Sequence, residues 1–89
     1  MKQSYLEVTY RKGRPLAAYY YLPRRDADKS VRTERAPGGL LVDYAPDGRA
    51  IGIEIVSPAR LDLSQLNELL LRLGHEKVGR EDLAPLVAA

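Results

Sequence analysis

At 89 residues the chain is long enough for one domain, and its net charge of +2 is too small to indicate a partner by itself. It has no cysteine, which excludes a disulfide framework and a thiolate zinc site. No segment approaches the roughly 20 apolar residues that cross a bilayer, and MKQSYLEVTY lacks the apolar core of a signal peptide, so a cytoplasmic protein without membrane insertion is expected.

The first strand is expected at Tyr5 to Tyr10, where Leu6, Val8 and Tyr10 alternate with Tyr5, Glu7 and Thr9. RKGRP is a turn signal. LAAYYYL, from Leu16 to Leu22, then supplies a second strand with Leu16, Ala18, Tyr20 and Leu22 inward, and the two should form a hairpin. PRRDADKS, residues 23 to 30, reads as a solvent loop and as the segment expected to be most mobile. A short strand from Val31 to Arg35 precedes the turn residues Pro37, Gly38 and Gly39.

Residues 40 to 55, LLVDYAPDGRAIGIEI, form two apolar runs around a turn and complete about five short strands, an antiparallel meander. Two registers compete there. A three-residue loop with a glycine bulge pairs Ala45 with Arg49 and sends Asp43 and Glu54 to opposite faces. A four-residue loop pairs Tyr44 with Arg49, gathers Leu40, Val42, Tyr44, Ile51, Ile53 and Ile55 on one face, and leaves Asp43, Gly52 and Glu54 on the other. Turn chemistry favours the first and hydrophobic patterning the second. Patterning is given the greater weight, because a one-residue slip moves a whole side-chain set across the sheet.

Beyond Ser57-Pro58 the period changes. Leu63, Leu66, Leu69, Leu70 and Leu73 share one helical face, with Asp62 as N-cap, Gln65 placed for a capping box, Leu61 and Leu66 for a hydrophobic staple, and Gly74 as the left-handed terminator. Too short to be stable alone, this helix must dock on the sheet. The tail GREDLAPLVAA admits a short terminal helix, with Asp82 as cap and Pro85 in the first turn. The expected fold is one α+β domain, with a sheet over residues 5–57 and a helical segment over 58–89.

The segment LLVDYAPDGRAIGIEIVSPAR resembles the signature of DUF2283, a family of small bacterial proteins classed as a domain of unknown function. The likeness is closest at Asp43, Tyr44, Asp47, Gly48, Gly52, Ile53, Glu54 and Ile55. The resemblance implies a small, mainly β fold that self-associates, and it implies no activity. The first hairpin departs from the family pattern: KGRPLAAYYY carries Lys12 and Arg14 where the family has acidic residues.

Two features bear on chemistry. Asp43 and Glu54 on one face would form a carboxylate pair, the remote enzyme alternative, yet no histidine, cysteine or metal-ligand cluster accompanies them. The stronger reading is structural, with Glu54 held by Arg32, Arg35 or a tyrosine hydroxyl. His75, just past Gly74, reads as a solvated residue near a helix C-terminus.

The second feature is charge. Residues 1–35 carry nine Lys/Arg against four Asp/Glu, and residues 36–89 carry five against eight, giving +5 and −3. Such asymmetry fits either a basic binding face or complementary surfaces that meet in an oligomer. Tyr19 and Tyr21, flanked by Arg11, Arg14, Arg24 and Arg25, are the candidate nucleic-acid contacts of an antitoxin-like regulator. The leading expectation is a non-enzymatic interaction or regulatory module that forms a homodimer, needing no cofactor and no catalytic or metal residues. Its motivation is apolar surface at Tyr19, Tyr21, Val56 and Leu71 that a single helix cannot cover.

Overall fold

In the computed structural model, which describes residues 4–84, five antiparallel strands form one open sheet: β1 (Tyr5–Arg11), β2 (Arg14–Tyr21), β3 (Arg32–Ala36), β4 (Leu40–Tyr44) and β5 (Ala50–Ile55). A helix, α1 (Leu63–Arg72), follows. The expected α+β architecture of an antiparallel sheet with a docked helix is present. Spatial order is β1-β2-β5-β4-β3, so a hairpin and a three-stranded meander join through β2 and β5. The connection over residues 22–31 carries the chain from the middle of the sheet to its far edge.

Lys12 and Gly13, both with positive φ, make a two-residue turn between β1 and β2, the loop type whose twist matches the flanking strands. Thr9 pairs with Ala17 but Tyr10 pairs with Pro15, which leaves Leu16 as an extra residue in β2. That bulge corrects the expected inner face. Ala18, Tyr20 and Leu22 point into the core with Leu6 and Val8, whereas Leu16 and Tyr10 are 53% and 51% exposed.

The β4–β5 hairpin combines both expected registers. At its tip the Ala45 and Gly48 amides donate to the Arg49 and Ala45 carbonyls, each at 2.9 Å, so the loop is Pro46-Asp47-Gly48, and Gly48 takes the φ of 92° that closes it. One step down, Tyr44 pairs with Ala50 while Asp43 pairs with Gly52, and the extra residue is Ile51. The bulge restores the face pattern that hydrophobic burial demands. Leu40, Val42, Ile53 and Ile55 are buried together, and Asp43, Gly52 and Glu54 fall on the other face. Ile51 is itself buried, and its carbonyl accepts from the Leu22 amide.

Helix α1 begins as its sequence directs. The Asp62 carboxylate accepts from the Ser64 and Gln65 amides. The Gln65 side chain lies against Gly38 and makes no capping box. At the other end the Gly74 amide donates to Leu71 and the His75 amide to Leu70, a complete Schellman motif with Gly74 at φ 83°. Leu66, Leu69 and Leu70 are buried against β2, β4 and β5, with Leu61, Leu63 and Leu73 packed at the margin. The Asn67 side chain then exchanges two hydrogen bonds with the Val78 backbone and straps the following segment to the helix. A 310 turn, Arg80–Leu83, buries Leu83, and Asp82 accepts from the Gly79 amide at 2.9 Å. Any terminal helix beginning near Pro85 lies outside the described residues.

Candidate functional site

All the buried residues of α1 lie on one side of the sheet, which leaves the opposite side uncovered. Pairing across the strands arranges that uncovered face in rows. One row runs Thr33, Asp43, Gly52, Tyr21, Tyr5 from β3 to β1; the next runs Arg35, Leu41, Glu54, Tyr19, Glu7. A third row holds the small residues Ala17 and Thr9, with Val56 level with them at the end of β5. Alternation along β1 continues the face to Arg11, which pairs with Arg14.

The rings form a cluster. Tyr5 and Tyr21 are stacked with centroids 4.3 Å apart, and Tyr19 meets Tyr21 edge-on at 4.6 Å. The Tyr19 hydroxyl crosses above Gly52 and donates to Asp43 Oδ2 at 2.7 Å, while Thr33 Oγ1 donates to Asp43 Oδ1 at 2.5 Å. Gly52 is needed for that crossing, since a Cβ there would fall within the Tyr19 ring. Burial, reinforced by the hydrogen bond to Asp43 and its charge, holds the Tyr19 phenol well above its ordinary pKa. The Tyr21 phenol is raised as well, first by desolvation and then by the nearby Glu7 carboxylate, to which its hydroxyl donates at 3.4 Å.

Asp43 and Glu54 do share a face, but their roles differ from the expectation. The carboxylate held by a tyrosine is Asp43, and Glu54 makes no hydrogen bond or ion pair among the described residues. Arg32 pairs with Glu34 at 3.3 Å and lies 4.3 Å from the Tyr44 ring centroid, so neither contact reaches Glu54. Both Asp43 oxygens accept from neutral hydroxyls, an arrangement that fixes a carboxylate in place.

The candidate nucleic-acid contacts separate into two groups. Tyr19 and Tyr21 share the uncovered face, and the Arg24 guanidinium sits 5.7 Å from the Tyr21 ring centroid while donating to the Asp28 carbonyl. Arg11 and Arg14 stand at the far end of the hairpin, six residues and about 20 Å along β1 from Tyr5. Glu7, Asp43 and Glu54 lie in the same rows as the tyrosines on that face. The loop at 23–30 is tied down at Asp28, which accepts from the Arg25 amide and from both terminal nitrogens of Arg49. Arg49 also bonds Asp47, and its guanidinium lowers the pKa of both carboxyls.

On the helix side, a groove of about 450 Å³ lies between β1, the end of β2 and residues 75–82, with Leu6, Tyr20, Leu70 and Val78 in its wall and His75 at the helix end. No group of three or more potential metal ligands occurs among the described residues. None of their helices is long and apolar enough to cross a membrane.

These features define a two-layer α+β domain with one naked sheet face. No family model, curated protein or solved structure matches the chain. Within the β4–β5 hairpin, Asp47 and Gly48 build the turn, the Tyr44 ring lies beside the Arg32 guanidinium, and Asp43, Gly52 and Glu54 lie on the naked face.

Proposed function

We propose that this chain is a cytoplasmic, non-enzymatic interaction module of the DUF2283 type that acts as a self-associated dimer. The observation that carries the reading is the uncovered sheet face with its ordered tyrosine cluster. Tyr5 is 48% exposed and Val56 46%, on a face that the chain's own helix does not reach. Aromatic rings held in fixed positions by stacking and a hydrogen bond, with polar groups around them on a face the helix leaves open, fit a contact surface. Asp43 serves this role by anchoring Tyr19, and so belongs to the framework of the surface rather than to acid/base chemistry. Sedimentation velocity across micromolar concentrations tests the reading: a concentration-dependent dimer supports it, and a monomer throughout removes it.

A second reading, nucleic-acid binding by an antitoxin-like regulator, is favoured by the Arg24 guanidinium beside Tyr21. It is disfavoured by the carboxylates interleaved with the rings, which repel phosphate. Salt-sensitive binding of labelled oligonucleotides, weakened by neutralising Arg11, Arg14, Arg24 and Arg25, would restore it.

A further inference from the structure

We infer that the naked face packs against the same face of a second copy, about a two-fold axis that lies in the face, runs across the strands, and passes between the Tyr19 row and the Ala17 row. This rests on the self-association reading and adds to it the surface and the orientation. Such an axis keeps each strand over its counterpart and reverses its direction. The bulky row of Glu54, Tyr19 and Glu7 then lies over the small row of Val56, Ala17 and Thr9 of the other copy. The Tyr19 ring meets Ala17 while the long Glu54 and Glu7 side chains meet Val56 and Thr9, and such large-on-small pairing lets facing sheets reach their usual spacing of about 10 Å.

Charge agrees with the same axis. It brings Arg11 and Arg14 of one copy over the Tyr5–Tyr21 stack of the other, beside Glu7. Guanidinium over tyrosine next to a carboxylate is a favourable grouping at a contact rim. The alternative axis, parallel to the strands and centred between β2 and β5, would set β2 over β5 and β1 over β4, leaving Arg11 and Arg14 away from the Tyr5–Tyr21 stack.

The area is that of a small contact: four strands about 4.8 Å apart and rows spanning about 20 Å give a planar footprint on the order of 400 Å², about half of the roughly 800 Å² that each partner buries in a standard interface. Of the two sheet edges, β3 is charged at Arg32, Glu34 and Arg35, which blunts it against strand pairing.

The experiment is sedimentation velocity on the full chain and three variants. Ala17→Glu places a bulky acid in the small row, opposite Tyr19 of the other copy and between its Glu54 and Glu7, and Thr9→Glu, at an exposed strand position, sets an acid opposite Glu7 of the other copy. Leu71→Glu changes an exposed helix residue on the opposite side of the molecule. The inference expects each face variant to raise the dimer dissociation constant by about 100-fold or more while circular dichroism stays that of a folded chain, and Leu71→Glu to leave dimerisation unchanged. A folded, undiminished dimer of Thr9→Glu, or loss of the dimer in Leu71→Glu, overturns the inference and leaves the self-association reading standing. A monomeric wild type removes both.

Discussion

Replacing Gly52 by alanine probes the architecture of the naked face at its tightest point. Gly52 has ordinary extended backbone, so alanine is conformationally allowed there, and its lower unfolded-state entropy would by itself stabilise the chain by about 0.4 to 1 kcal/mol. The new Cβ, however, would occupy the space of the Tyr19 ring end. Tyr19 must swing outward, losing its 2.7 Å bond to Asp43 and its edge contact with Tyr21. A hydrogen bond to a charged acceptor contributes roughly 1.5 to 3 kcal/mol, with the lower end apt for a half-exposed group, and an aromatic pair adds roughly 0.5 to 1.5 kcal/mol. The net expectation is a loss of about 1 to 2 kcal/mol, or roughly 5 to 15 °C in Tm for a domain of this size. Thermal melts at one fixed protein concentration measure it, since association would otherwise shift Tm. In a Tyr19→Ala background the same change should cost nothing. An unchanged Tm in the wild-type background, or an equal loss in both backgrounds, refutes the reasoning.

Three further outcomes are expected. Because the folded-state pKa of Tyr19 is raised, its contribution to stability is complete below the ordinary tyrosine value near 10 and is lost as pH rises above it; Asp43→Asn should lower that pKa, and an unchanged alkaline absorbance titration would contradict this. Arg49→Ala should expose the 23–30 loop, read as faster tryptic cleavage after Arg24 and Arg25, and should reduce the stability lost on acidification below about pH 4 as Asp28 and Asp47 protonate; equal cleavage rates would count against the clasp. Asp62→Ala removes the α1 cap and should cost about 1 kcal/mol, or roughly 4 to 8 °C, and a melt coincident with wild type would show that the cap contributes nothing.

The helix was legible in the sequence because its signals are local: leucine spacing, an aspartate cap and a terminal glycine all sit within a few residues of the bonds they govern. The β4–β5 hairpin was half legible. Turn residues and apolar alternation each implied a valid rule, but they conflicted by one residue, and the chain satisfies both by inserting Ile51 as a bulge. No pattern in AIGIEI announces that insertion. Leu16 misled for the same reason, since a bulge next to a tight turn breaks the alternation from which an inner face is read.

The candidate site was harder still. Asp43 is held by Thr33, its partner on the adjacent strand β3, and by Tyr19, 24 positions away on a strand brought near only by the β2–β5 pairing that follows a crossover. Glycine at position 52 was the one local clue, a residue without a side chain in a central strand, which marks close approach by another group.

The central claim, that two copies meet through this face in opposite strand directions, is tested most directly by isotope-filtered nuclear Overhauser spectroscopy on a mixture of labelled and unlabelled chains. The account predicts intermolecular contacts between the Ala17 methyl of one copy and the Tyr19 ring of the other, and between Arg14 side-chain protons and the Tyr5 or Tyr21 rings. Intermolecular contacts confined to Leu71 and the helix, or tyrosine rings meeting only their own counterparts, would contradict it.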